Sequence, residues 1–153
     1  MTAAGPDYRA ENARELERMR GIATRLSDAQ LEEPVNDSWT VAGVLAHIAF
    51  WDGRALALAE KLAHGQPFTE SDDEPEDVDW INDASRLLIH AIPARQAADL
   101  ALRIAEQTDQ AVAELPPELA GRAWPLNEES PLNLLRASHR GEHLDEIEAA
   151  LGR

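Results

Sequence analysis

PLNLLRASHRGEHLDEIEAAL, residues 131–151, places Leu132, Leu135, His139, His143, Ile147 and Leu151 at steps of three and four. That spacing draws one face of an α-helix, with aliphatic side chains at both ends and two histidines in the middle. Ser130 and Pro131 offer a cap and a first-turn proline, so the helix is expected from Ser130–Pro131 to about Leu151. The two histidines then share the core-facing stripe, and Arg140, Asp145 and Glu148 fall largely off it.

Working outward, the same period recurs and no strand pattern stands out. Leu16, Met19, Ile22, Ala23 and Leu26 mark a helix from about Pro6 to Leu26. Ser27 and Gln30 form a capping box over a short turn that stops at Pro34. A second long helix is expected from about Ser38 to His64, with Gly65 as its C-terminal stop. The acidic, proline-bearing stretch from Gln66 to Val78 reads as an irregular loop. Helical patterning resumes near Trp80, is interrupted near Pro93 and runs to about Leu115. The expected fold is all-α, an up-down four-helix bundle with long loops, formed by residues 1–153 as a single domain.

The chain has 153 residues, 14 basic and 29 acidic, for a net charge of −15. Such a surface repels phosphate backbones and anionic lipid, so no nucleic acid and no membrane partner is expected. No apolar run approaches the roughly 20 residues that span a bilayer, and the first residues lack a signal peptide's apolar core. A cytoplasmic protein is expected. With no cysteine, disulfides, thiolate catalysis and cysteine ligation are excluded, and any thiol chemistry needs a thiol supplied as substrate.

Two core-facing imidazoles one turn apart are costly to bury unless their ring nitrogens find partners. A divalent cation satisfies both, although bare H-x-x-x-H is also met by hydrogen-bonded structural histidines. Val44, His47, Ile48, Trp51 and Ala55 place a third histidine on an apolar stripe of another helix. Alone, His47 reads as a satisfied core residue. With His139 and His143 it completes three protein ligands, the pattern of a catalytic metal site. His64, beside Gly65, suits the free carbonyls of a helix end, and His90 has no histidine partner at helical spacing. Glu146 is placed to orient a ligand histidine and Asp52 to act as an acid or base; each also reads as a solvated carboxylate. Trp39, Trp51, Trp80 and Trp124 read as core or pocket wall.

SWTVAGVLAHIAFWD, with histidine eight positions after its tryptophan, and HRGEHLDEI near the C-terminus resemble the DinB/YfiT-like superfamily over essentially the whole chain. EDVDWINDAS, with Asn82, is similar to the entry to that family's third helix. The resemblance implies a four-helix bundle with His47, His139 and His143 as ligands of a divalent metal ion, usually zinc or nickel. It also implies transfer or isomerisation of a small-molecule substrate with a low-molecular-weight thiol such as mycothiol, bacillithiol or glutathione, and commonly a homodimer. Many relatives carry Arg-Gly where this chain has Leu144-Asp145. A metal-dependent hydrolase and a non-catalytic metal or ligand binder are the alternatives. Thiol-dependent turnover of an electrophile separates the first class from the others.

Overall fold

The computed structural model describes residues 7–152. It is all-helical: α1 (Tyr8–Arg25), α2 (Asp28–Leu31), α3 (Val41–Ala63), α4 (Asp79–His90), α5 (Ala94–Glu114), α6 (Pro117–Ala120) and α7 (Ala137–Leu151). The Pro6 start expected for the first helix lies outside the described residues; Asp7 caps α1 by accepting from the amides of Arg9 and Ala10. The Ser27/Gln30 capping box is formed. Thr40 caps α3, and the Asn36 side chain just before it accepts from the amides of Ser38 and Trp39. Gly65 ends α3 at φ +77°, a conformation that favours glycine, and His64 bonds the Glu60 carbonyl through Nδ1.

Four long helices pack in a closed cycle, α1 on α5, α5 on α3, α3 on α7 and α7 on α1, with α4 on the outside of α3. The α3–α5 contact is the most extensive, for a reason visible in the side chains. Ala97, Ala98, Ala101 and Ala105 give α5 a stripe of small buried residues, which lets the bulkier Val41, Leu45 and Ile48 of α3 approach closely. By length and composition α3 could cross a membrane, contrary to expectation, but two thirds of its most apolar window is buried inside the protein. It is the helix around which the others are arranged.

The core falls into two apolar clusters separated by a polar layer. In that layer Asp52 of α3 is fully buried and accepts from Nε of Arg136 at 2.9 Å and Nε of Arg140 at 3.0 Å. Arg140, also fully buried, donates to both oxygens of Asp109 on α5, at 2.8 and 3.0 Å. Buried Asn12 of α1 donates to the Leu134 carbonyl and accepts from the Ala137 amide. All four long helices therefore meet in one hydrogen-bonded layer. Burial lowers the Arg140 pKa by itself, but the charges and bonds of Asp52 and Asp109 outweigh it and the net shift is upward.

Three expectations are corrected here. Asp52 is not a surface carboxylate, and Arg140 does not face solvent. The last helix begins at Ala137, not at Ser130–Pro131. Residues before it are held by other bonds: the Trp124 amide donates to the Leu132 carbonyl and the Trp124 carbonyl accepts from the Leu134 amide, and Asn12 ties down Leu134 and Ala137. The Ser130 hydroxyl accepts from the Leu132 amide in a local turn. Leu132, Leu134 and Leu135 are buried all the same, in irregular chain.

Asp52→Ala should leave two buried guanidinium groups short of a carboxylate and cost about 3–5 kcal/mol in urea unfolding. Glu106→Ala, which removes one of the two exposed partners of Arg20, should stay within about 1 kcal/mol. Similar losses for the two variants would show that the buried layer is not what holds the helices.

Candidate metal centre

α3 and α7 bring His47, His139 and His143 together although α3 and α7 are far apart in sequence. One candidate ligand atom from each lies within 4.8 Å of the others. The ring centroids form a triangle, 4.6 Å between His139 and His143, 4.7 Å between His47 and His143, and 5.4 Å between His47 and His139. His47 is buried; His139 and His143 are half-buried. The histidines of α7 therefore stand on the flank of that helix rather than on its core stripe, which is drawn by Arg136, Arg140, Leu144 and Ile147.

The pattern of partners is unusual for histidines that serve packing alone. Nε2 of His139 and Nε2 of His143 face each other at 3.1 Å, a contact in which one can donate to the other. Two nitrogens at that separation can equally lie about 2.0–2.1 Å from a single ion. Nδ1 of His47 and Nδ1 of His139 are buried without a hydrogen-bond partner. Among the described residues the trio's one partner outside itself is Glu146, 3.1 Å from Nδ1 of His143. With Nδ1 of His143 protonated and donating to Glu146, the lone pair on Nε2 faces the other rings. The donor set, three imidazoles with one carboxylate behind, fits zinc, nickel and other borderline ions.

Burial is also what keeps His47 and His139 neutral. The His47 imidazole is pushed down to about 4, first by desolvation and then by the neighbouring His143. His139 is pushed down to about 3 by desolvation, then by His143, Arg136 and the rest of the cluster. Both are neutral and able to donate a lone pair at physiological pH.

The trio opens onto a cavity of about 720 Å³. Trp51 and Asn82 form one wall, joined by a 2.9 Å bond from the indole Nε1 to the Asn82 side-chain oxygen. Trp124 and the Ser130–Pro131 turn form another, and Arg54 and Arg136 supply guanidinium groups. Asp73, Glu74 and Val78 of the acidic loop close the rim. That loop is anchored rather than free of the body: Arg54 donates to the Asp72 carbonyl at 2.7 Å and Lys61 pairs with the Asp72 carboxylate at 2.6 Å. On its other side the trio borders a smaller cavity of about 230 Å³ beside Trp39, whose ring lies 5.2 Å from that of His47.

The remaining expectations divide. His64 and His90 stand outside the trio; the His90 ring packs edge-on to Trp39 and over Gly43, where a Cβ would collide with it. Trp39, Trp51 and Trp124 are walls, whereas Trp80 is 61% exposed. Arg54 and Arg136 went unread in the sequence. Arg136 sits four residues before Arg140 on the stripe that continues to Leu144, a signal that the position faces inward.

The sequence profile of the DinB superfamily matches residues 11–147, nearly the whole chain, and the chain belongs to that superfamily. No curated protein and no solved structure matches it.

A histidine whose pKa is lowered by folding takes up its proton more readily in the unfolded chain. The stability contributed by His47 and His139 in the metal-free protein is therefore complete above about pH 6.5. It is lost as pH falls toward about 4 for His47 and about 3 for His139. Unfolding free energy should drop between pH 7 and pH 5 by up to about 1.4 kcal/mol per pH unit per histidine. Replacing His139 with Gln should flatten that dependence, and an unchanged slope would place His139 in contact with solvent.

Proposed function

We propose that this DinB superfamily member is a metal-dependent enzyme that acts on a small electrophilic substrate with a low-molecular-weight thiol as co-substrate. The observation that carries the reading is the three-histidine cluster, with its unpartnered ring nitrogens, at the wall of a cavity large enough for a small molecule. His47, His139 and His143 would hold a divalent ion, zinc or nickel by the family resemblance. Bound there, such an ion keeps its positive charge and lowers the pKa of a thiol or water in its open position.

The chain's own residues do the rest. Burial holds His47 and His139 in the neutral form that a ligand must have. Glu146 accepts from His143 and fixes which ring nitrogen faces the cluster. Trp51, Asn82 and Trp124 give the substrate an apolar and hydrogen-bonding bed, while Arg54 and Arg136 provide donors for a polar group. The absence of cysteine from the sequence fits a nucleophile that arrives with the co-substrate. Water as the nucleophile would make the protein a hydrolase on the same site, and binding without turnover a metal or ligand carrier. The charge of −15 supports a small molecule over nucleic acid or an anionic membrane as partner, and a thiol co-substrate would set the protein in a reduced cytoplasmic thiol pool.

Elemental analysis of purified protein should find about one divalent ion per chain. His143→Ala should lose the ion and any turnover together while its helical circular dichroism persists, because aliphatic packing holds α7. Glu146→Ala should weaken metal affinity by roughly 10–100-fold without abolishing it. Turnover of model electrophiles that requires added thiol selects the transferase or isomerase, and turnover with water alone the hydrolase. A wild type that never retains metal, with a His143→Ala variant that unfolds, would make the histidines structural.

A further inference from the structure

We propose that Arg54 and Arg136 form a carboxylate-binding subsite in the cavity beside the histidine trio, so that one of the small molecules taken up there carries a carboxylate. Taking the cavity as the substrate's place follows the function proposed for it, but the subsite itself does not require the metal.

Helical spacing brings the two arginines to one place. On α3, His47, Trp51 and Arg54 follow at steps of four and three; Arg136, which precedes α7 directly, leads to His139 and His143 at steps of three and four. His47 lies beside His143, and Asp52 beside Arg140 and Arg136, so residue numbers rise along α3 as they fall along α7. The helices therefore run antiparallel, and both arginines come to the same end of the cavity. The 3.0 Å bond from Nη1 of Arg54 to the Pro131 carbonyl marks that end. From the rise per residue, Arg136 stands about 4.5 Å and Arg54 about 10.5 Å along the helix axes from the histidines.

The bonding of each arginine leaves donors over. Arg136 is 7% exposed, and its one side-chain hydrogen bond among the described residues runs from Nε to Asp52. The other Asp52 oxygen is taken by Arg140. Buried donors are normally paired, yet the Nη1–Nη2 edge of Arg136 has no acceptor from the protein, in a residue that lines the cavity. That edge is a fork whose two N–H groups match the two oxygens of a carboxylate. Arg54, half-buried, donates to the Pro131 and Asp72 carbonyls and to no carboxylate. Burial pushes its pKa down, and the charge of Arg136 adds to that against the pull of Glu74. Two cations thus face one cavity near enough to repel each other, and an anion between them satisfies both.

The same surroundings choose the anion. Asp73, Glu74 and Glu129 also line the cavity, and none of them bonds either arginine. Asp52 already offsets much of the Arg136 charge, so a single negative charge is favoured over the two of a phosphate. A ligand reaching from the arginines to the trio spans roughly 5–10 Å, about four to eight bonds of extended chain.

Hexanoate titrated into the metal-free full chain tests the subsite, read by calorimetry and by the fluorescence of Trp51 and Trp124 in the cavity wall. It should bind roughly 10–100-fold more tightly than neutral hexanamide, the range of a charge-assisted pair, and more tightly than inorganic phosphate. Arg54→Gln should lose most of that preference with unchanged circular dichroism, because Arg54 lies outside the buried polar layer. Arg136→Lys keeps a cation for Asp52 but removes the fork, and should lose as much. Arg103→Gln, at an exposed position of α5, should bind as wild type does. In zinc-loaded protein, 5-mercaptopentanoate that displaces hexanoate assigns the carboxylate to the thiol, and 5-mercaptopentanoate that binds beside it assigns the carboxylate to the electrophile; either supports the subsite. Failure of the metal or thiol reading leaves the metal-free titration as it stands. Equal affinity for hexanoate and hexanamide, tighter binding of phosphate, or a preference that survives in both Arg54→Gln and Arg136→Lys overturns the proposal.

Discussion

A single carboxylate, Asp52, sits fully buried in the middle of α3 and takes one hydrogen bond from each of two arginines. Charges in such a place are tolerated only when their attraction and hydrogen bonds offset the loss of water. Here that condition dictates geometry. Arg140 must reach Asp52 and Asp109 at once, and Arg136 must approach Asp52 from the chain just before α7. Together they fix the rotation of α7 about its own axis and its height along α3.

The placement of the histidines follows from that rotation. With Arg140 pointing into the layer, His139 is turned aside by one residue and His143 by three, so both face the cavity instead of the packed core. His47 is five residues from Asp52 on α3, on the side where α7 crosses. The polar layer and the trio are thus two consequences of one helix pairing. The layer specifies how α3 and α7 meet, and the trio occupies the gap beside that contact. A core of aliphatic residues alone would hold the helices together, but it would tolerate rotations that separate the imidazoles.

Much of this was legible in the sequence, because helical period and caps are local properties. The all-helical fold, the capping box at Ser27 and the break at Pro93 come from residues that act on their immediate neighbours. The convergence of His47 with His139 and His143 was also legible, since three imidazoles on helix faces leave few other arrangements. The rotation of α7 was misread. Leu132 and Leu135 continue the spacing of the histidines into a segment that is not helical, and they drew the core stripe through His139 and His143. What decides the matter is a long-range match: Asp52 falls in step with Ile48, Ala55 and Ala59, and Arg140 in step with Leu144 and Ile147. Opposite charges on two apolar stripes point to a buried pair, a signal that becomes readable only when the stripes are compared.

The neutrality of His47 and His139 runs against the overall charge of the chain. A net charge of −15 favours protonated imidazoles everywhere on the molecule. The interactions that win are short-range. Desolvation acts on the ring itself, and the neighbouring imidazoles lie 4.6 to 5.4 Å away, centre to centre, well inside the Debye length of about 8 Å at physiological ionic strength. Most of the carboxylates are on the solvated exterior, where salt screens them. Arg136 and Arg140 have a second role in this balance. Held beside His139 by Asp52, they push its pKa further down, so the ion pair that orients α7 also helps keep its first histidine free of a proton. An acidic protein can therefore present the neutral rings of His47 and His139 to a cation while its surface draws cations toward the molecule.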